Sequence, residues 1–266
     1  MKGLPISARR GAALAAFLYL LLAAWWMRDV LSSPATRVMG AARGAESASL
    51  TDSDERMVLS QIARHARLLA RPADLAHDGQ CYPTPWSYTL GEHMFGNALL
   101  AAVPLALTGD PIVAYNAVLL LNIWIAAMGM YALTRHATGS VAAALVAGVL
   151  FGFDRTRLSD PAHPYVMGGD LWMPFVLLFL LKVFADGRWR SVAGLAVFSC
   201  LQLGESLYAV IATLLLALAV TAWLVARDPR RFVAIAPRLV VAGIPVVALA
   251  WLVFGPYLAT AATWGG

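Results

Sequence analysis

The sequence is poor in charge and in cysteine. Only 13% of its 266 residues are Asp, Glu, Lys or Arg, roughly half the share of about 25% that is usual in soluble domains. The two cysteines, Cys81 and Cys200, have no metal-type spacing, so neither a disulfide framework nor a zinc site is indicated. Lysine is rarer than arginine, with two residues against 18.

Four stretches contain no charged residue at all: 111–134, 139–153, 206–226 and 239–262. A core helix of a soluble protein rarely stays uncharged beyond about 18 residues. These runs also lack the period-two alternation of barrel strands, and only helices and closed barrels satisfy their backbone hydrogen bonds in hydrocarbon. We therefore expect an all-α integral membrane protein.

The formal net charge of +5 does not indicate a nucleic acid partner. The arginines sit mostly beside apolar runs, where they set topology and contact lipid headgroups. Membrane lipids are the expected partners of this charge, and no nucleic acid is expected.

The N-terminus has a basic end followed by residues 11–27 without charge. A cleaved signal peptide has a shorter apolar core, usually about 7 to 15 residues. Trp25 and Trp26 at the far end suit a membrane interface. We expect an uncleaved first span with its N-terminus in the cytoplasm, which places residues 32–93 outside.

The rest of the topology depends on residues 94–108, an apolar stretch that contains Asn97 and Pro104. It is short for a full span and suits a re-entrant or interfacial helix better. If it does not cross, most later arginine clusters fall on the cytoplasmic side, as the positive-inside rule requires. Residues 32–110 then form a large first extracytoplasmic loop with amphipathic interfacial helices. We expect about seven transmembrane helices in one membrane domain, residues 1–266: 11–31, 111–134, 139–154, 170–186, 191–204, 206–227 and 239–260.

The outer segment contains a predicted amphipathic helix that begins near Asp54. One face is basic and the opposite face is apolar at helical spacing; the two sets are Arg56, Arg64, Arg67 and Arg71, and Val58, Ile62, Ala66 and Leu69. This pattern predicts a helix on the membrane surface. Its arginines either meet lipid phosphates or hold a phosphorylated lipid substrate.

Short motifs along the chain resemble a known family. They are Asp52-Ser53-Asp54 after the first span, His65-Ala66-Arg67-Leu68-Leu69, Cys81-Tyr82-Pro83, Tyr115-Asn116, Thr138-Gly139-Ser140, Arg157-Leu158, His163 and Trp172-Met173-Pro174. Their order is similar to that in the C-type (GT-C) glycosyltransferase superfamily, in particular its bacterial polytopic members.

The resemblance implies a membrane enzyme that transfers a sugar from a polyprenyl-phosphate donor to an extracytoplasmic lipid, glycan or protein acceptor. In that superfamily a seven-span module carries the chemistry and a more variable module follows it. This chain supplies about seven spans, so we expect a fragment or a truncated relative.

The chemistry implied needs a carboxylate that removes the acceptor proton and cations that stabilise the departing phosphate. The resemblance places the catalytic base at Asp52, with Asp54 as the alternative, although Asp52 could instead be an N-cap. Candidates for the phosphate are Arg155, Arg157 and His163, with Arg64 and Arg67 after them. Arg155 and Arg157 are basic yet outside, which suggests a functional interpretation. The alternatives are that Arg155 pairs with Asp154 or with lipid phosphate, and that His163, between two prolines, is a turn residue.

Glu205 follows Gly204 in an otherwise uncharged stretch. An acid in such a position is a candidate for substrate binding, and a solvated turn is the alternative. No metal and no cofactor are expected, because enzymes of this superfamily mostly need none. The rival class is a non-enzymatic polytopic membrane protein, either a transporter component or a scaffold in surface-polymer assembly.

Overall fold

A computed structural model describes residues 8–39, 53–77, 85–159, 163 and 168–264. These residues form α-helices and two short 3-10 turns, Pro72–His77 and Ser87–Leu90, with no strand among them. The α-helices are α1 Ala8–Trp26, α2 Arg28–Leu31, α3 Ser53–Leu68, α4 Phe95–Thr108, α5 Pro111–Thr138, α6 Val141–Gly152, α7 Arg155–Ser159, α8 Met173–Asp186, α9 Trp189–Leu203, α10 Leu207–Arg227 and α11 Pro229–Trp264.

Capping residues explain several of these helix ends. Asp110 accepts hydrogen bonds at Oδ1 from the backbone N–H groups of Ile112 and Val113, at 2.7 and 3.4 Å, and Pro111 occupies the first helical position of α5. Gly139 ends α5 in the left-handed region at φ 71°, which glycine adopts without a steric penalty. Short connections therefore turn the chain back, so that α4 and α6 each pack against α5.

Helix α5 is the centre of the first half of the molecule. It packs against α1, α3, α4, α6 and α8. One apolar cluster joins α3, α4 and the first half of α5 through residues such as Ile62, Ala98 and Val118. A second cluster joins α1, α6 and the second half of α5 around Tyr19.

The second half of the molecule consists of α8, α9, α10 and α11. Its apolar cluster includes Val176 of α8, Leu195 of α9 and Ile235 of α11. Helix α9 also contacts α4, so the end of α9 joins the two halves.

The prediction of an all-α chain whose apolar runs form helices is confirmed. Among the described residues, three helices are long and apolar enough to cross a membrane: α5, α10 and α11. The predicted span 139–154 is a helix of only 12 residues, and the predicted spans 170–186 and 191–204 are helices of 14 and 15 residues. Seven crossings therefore stay a prediction.

The predicted amphipathic helix exists as α3. Val58, Ile62 and Ala66 are buried, and Arg56 and Arg67 are exposed. The prediction for Leu69 is wrong, because α3 ends at Leu68 and Leu69 is 37% exposed. The apolar face of α3 packs against α4 and α5, so protein covers this face without any lipid.

Candidate functional site

A buried carboxyl group lies in the turn between α9 and α10. Glu205 is fully buried. Its Oε1 accepts a hydrogen bond from Trp172 Nε1, and its Oε2 accepts one from Asn97 Nδ2, both at 2.8 Å. Asn97 Oδ1 in turn accepts from Asn122 Nδ2 at 3.1 Å. We call these four residues the Glu205 network; it joins α4, α5, the segment before α8, and the α9–α10 turn.

Close backbone packing positions this network. The Gly96 N–H, in the first turn of α4, donates to the Gly204 carbonyl at 2.6 Å. A Cβ on Gly96 would overlap the Glu205 carboxyl group. Glycine at position 96 therefore allows α4 to approach the turn that carries Glu205.

Burial raises the pKa of Glu205 from 4.5 to about 8, although the hydrogen bond from Trp172 lowers it. Desolvation is the larger effect because a carboxylate loses its hydration in this site. Burial therefore favours the neutral form of Glu205, and it is not a solvated turn residue. Asn122 Oδ1 has no hydrogen-bond partner, so the network retains one unused acceptor.

A buried ion pair lies next to the network. Arg157 Nη2 of α7 pairs with Asp170 Oδ1. Arg157 is 7% exposed, whereas one third of the Asp170 side chain is exposed. Among the described residues, Arg157 Nε and Nη1 have no hydrogen-bond partner, and the guanidinium carbon lies 5.5 Å from the centre of the Phe151 ring. Two buried donors are thus available for an acceptor.

The segment that carries Asp170 is fixed at two points. Gln202 Nε2 donates to the Gly169 carbonyl at 2.7 Å, and Trp172 donates to Glu205. Both partners belong to the end of α9 and the turn after it. The Arg157–Asp170 pair and the Glu205 network are therefore parts of one assembly.

A pair of buried histidines lies on the other side of the turn. His65 Nδ1 is 2.8 Å from the His93 carbonyl, and His93 Nε2 is 3.1 Å from the Leu203 carbonyl. Since a carbonyl only accepts, His93 carries its proton on Nε2, and burial lowers its pKa to about 4. His93 is therefore neutral and acts as a structural link between α3, α9 and the loop before α4.

This loop contains two non-glycine residues in the left-handed region, Trp86 at φ 54° and Met94 at φ 49°. Such a conformation costs about 1 to 2 kcal/mol per residue. Contacts around the loop hold it in place: Gln61 Nε2 donates to the Glu92 carbonyl, and the Tyr257 hydroxyl donates to the Gly91 carbonyl at 2.8 Å. Helices α3 and α11 thus hold the loop from two sides.

The other predicted site residues are more dispersed. Asp52 lies outside the described residues, and for Asp54 only its backbone position in the first turn of α3 is described. Arg155 and Arg67 are exposed, and Arg64 and His163 are partly buried. The structure brings Arg157 and Glu205 into one assembly, through Asp170 and Trp172.

Several residues of this assembly were not predicted as site residues from the sequence: Asn97, Asn122, Asp170, Trp172 and Gln202. The available signal was weak, because amides within apolar runs also occur as ordinary core residues. Within the described ranges, no three His, Cys, Asp or Glu side chains are grouped as metal ligands would be.

No protein-family model, curated protein or solved structure matches this chain.

Proposed function

We propose that the protein is an integral membrane glycosyltransferase that transfers a sugar from a polyprenyl-phosphate donor to an extracytoplasmic acceptor. The observation that carries this proposal is the buried guanidinium of Arg157, with two nitrogens that lack hydrogen-bond partners. An unsatisfied buried donor costs about 1 to 3 kcal/mol. Phosphate oxygens of a bound donor would satisfy both nitrogens.

Asp170 makes this site selective for an anion that brings several oxygens. It occupies Nη2 of Arg157 and leaves the other two nitrogens for the ligand. Arg155 is exposed two residues earlier in α7 and is the second candidate for the phosphate. His163 is the third candidate in this loop, and Arg64 and Arg67 of α3 are candidates for the distal part of the substrate.

In the proposed reaction, Asp52 removes the proton from an acceptor hydroxyl as its oxygen attacks the anomeric carbon of the sugar. The bond from that carbon to the phosphate oxygen breaks, and polyprenyl phosphate leaves with the bonding electrons. Arg157 and Arg155 stabilise the charge on the leaving group. Asp54 is the alternative base. No metal and no cofactor take part.

The proposed topology has seven crossings, with the N-terminus in the cytoplasm and residues 32–110 outside. The helices α6, α8 and α9 have 12, 14 and 15 residues and rise only about 18 to 22 Å, against a hydrocarbon core of about 30 Å. Helix α4 adjoins the end of α9 and fills part of the remaining depth in the outer leaflet. Protein then surrounds the irregular turn at Glu205, as a membrane requires.

A non-enzymatic transporter component or scaffold is the second candidate, and one observation favours it. The Glu205 network places a buried acid and two buried amides inside the helix bundle, a pattern typical of ion and substrate pathways. The partly exposed Asp170 beside the buried Arg157 favours the enzyme, because an ion pair at the edge of the folded chain can meet an anion from outside the bundle.

The test is sugar transfer by the full chain in membranes, with a panel of polyprenyl-phosphate sugars. Asp52→Asn preserves shape and capping ability, so we expect normal expression and loss of transfer. Arg157→Gln should weaken donor binding. Wild-type turnover in both Asp52→Asn and Asp54→Asn would refute the proposed base.

The topology has its own test. Cys81, which lies outside the described residues, should react with a membrane-impermeant maleimide in intact cells without an outer barrier. Cys200, a free cysteine of α9, should react only after the membrane is permeabilised, if at all. Protection of Cys81 in intact cells would place the proposed base on the wrong side.

A further inference from the structure

Side chains from other parts of the chain hold residues 168–172 in place. Asp170 lies between two side-chain anchors, the bond from Gln202 to the Gly169 carbonyl and the bond from Trp172 to Glu205. Its own segment is a turn rather than a helix, with local bonds from the Leu171 N–H to the Gly168 carbonyl at 3.2 Å and from the Met173 N–H to the Asp170 carbonyl at 3.0 Å. The two anchors add to these local bonds by tying the segment to the end of α9 and to the turn after it.

Both anchoring side chains are buried. Gln202 is 3% exposed and Glu205 is fully buried. The Trp172 ring lies 5.9 Å from the Phe198 ring and 6.2 Å from the Phe175 ring, which restricts where its indole N–H can point. A buried hydrogen bond with a fixed donor holds its partner within a narrow range of positions.

We propose that Glu205 and Gln202 are positioning residues of the anion site, which hold residues 168–172 where Asp170 reaches Arg157. The proposal rests on the proposed function and assigns the turn between α9 and α10 a role in it. Neither residue contacts the substrate.

Glu205 has a second connection that Gln202 lacks. Its Oε2 accepts from Asn97 at the start of α4, and α4 packs against α3, whose first residue follows Asp52 in the chain. Glu205 thus bonds both to the segment of the anion site and to the helix that supports the proposed base. Removal of the Glu205 side chain should allow the distance between the anion site and the proposed base, Asp52, to vary more.

The unused acceptor of Asn122 predicts which substitution the site tolerates. In Glu205→Gln, the new amide oxygen can still accept from Trp172, and the new amide nitrogen faces Asn97. If the Asn97 and Asn122 amides both rotate, Asn97 Oδ1 accepts from Gln at position 205, and Asn97 Nδ2 donates to Asn122 Oδ1, which then occupies the place of the Nδ2 that now donates to Asn97. Glutamine should therefore retain the anchor, whereas alanine should lose it.

The first measurement is hydrogen exchange of the purified full chain in lipid nanodiscs, and it does not depend on activity. Glu205→Ala, Gln202→Met and Trp172→Phe should each raise exchange over residues 168–173 by about tenfold, the equivalent of one lost buried hydrogen bond. Glu205→Gln should remain close to the wild type. Trp172→Phe and Gln202→Met keep the test available if Glu205→Ala does not fold.

Ser206→Ala is the matched control. Ser206 lies in the same turn and caps α10 by accepting from the Ala209 N–H at 3.3 Å, but it makes no bond to residues 168–172 among its assigned hydrogen bonds. In Ser206→Ala, hydrogen exchange should rise only at the start of α10. Unchanged exchange over 168–173 in Glu205→Ala and Gln202→Met would overturn the positioning role.

The second measurement is binding of a polyprenyl phosphate in the same nanodiscs, with inorganic phosphate for comparison. Glu205→Ala should raise Kd about tenfold, Arg157→Gln should raise it at least as much, and Ser206→Ala should leave it unchanged. If exchange responds as expected but wild type and Arg157→Gln bind equally, the anion site and the proposed function fail while the positioning of Asp170 stands.

Discussion

Helices α5 and α11 have similar composition but different surroundings. In the most apolar stretch of α5, 56% of the residues are buried by the rest of the chain, against 11% in α11. Helix α5 carries two buried asparagines, Asn116 and Asn122. Their amide nitrogens donate to the Pro34 and Arg37 carbonyls and to Asn97. The exposed face of α11 is formed by apolar residues such as Val240, Val247 and Trp251.

This difference shows where the chain places its polar groups. A buried helix can carry amides because neighbouring elements supply partners, and the partners of Asn122 lead to Glu205. A helix that faces hydrocarbon has no such partners, so each polar group there costs free energy. The candidate site therefore lies beside α5, whereas the exposed face of α11 carries apolar residues.

The largest expected effect is that of a methyl group added at Gly96. It would overlap the Glu205 carboxyl group, so either Glu205 loses its bonds or α4 moves away from the turn. We expect Gly96→Ala to lower the free energy of unfolding by about 3 kcal/mol, measured by chemical unfolding in detergent.

The double variant Gly96→Ala/Glu205→Ala is the control for this prediction. Removal of the carboxyl group also removes the overlap, so the double variant should be less unstable than the sum of the single variants. If the changes in the free energy of unfolding are strictly additive, the side chain at position 96 does not contact Glu205. That result would contradict the close packing of α4 against the turn that carries Glu205.

The next effect is a dependence of stability on pH. Burial raises the pKa of Glu205 from 4.5 to about 8. The stabilisation that neutral Glu205 adds to the free energy of unfolding is therefore complete below pH 4.5 and is lost as pH rises to about 8. Burial lowers the pKa of His93 from 6.5 to about 4. The stabilisation that neutral His93 adds to the free energy of unfolding is therefore complete above pH 6.5 and is lost as pH falls to about 4. Between pH 4.5 and 6.5, the two groups change the free energy of unfolding in opposite directions as pH rises.

Between pH 6.5 and 8, His93 no longer offsets the effect of Glu205. The free energy of unfolding should therefore fall by about 2 kcal/mol over this range. Burial also raises the pKa of Glu92, which acts in the same direction, so the informative quantity is the difference between the wild type and Glu205→Gln. In thermal unfolding scans, the stability of Glu205→Gln should depend much less on pH than that of the wild type. An equal slope in both proteins would show that Glu205 is ionised at pH 7.

The apolar runs of the sequence predicted the helices well, because a long uncharged run has few alternatives to a helix. The segment 111–134, for example, lies within helix Pro111–Thr138. The Glu205 network could not be predicted, since Asn97 and Glu205 are 108 residues apart and only tertiary packing brings them together. Glu205 itself was recognisable as a charge in an uncharged stretch, whereas the paired state of Arg157 was not.

The smallest expected effect is on the exposed side of α11, where Gly243 and Gly255 have nothing within 4 Å of an added Cβ. Alanine is favoured over glycine in a helix by about 0.5 to 1 kcal/mol, so Gly243→Ala should stabilise the protein slightly in detergent. Gly255 precedes Pro256, whose ring disfavours a Cβ on the preceding helical residue, so Gly255→Ala should not stabilise it. Gly243→Ala should be neutral or stabilising in membranes if lipid covers this face. A loss of stability that appears in membranes but not in detergent would mean that another helix packs closely on α11 there, and the contrast between α5 and α11 would then hold only for the isolated chain.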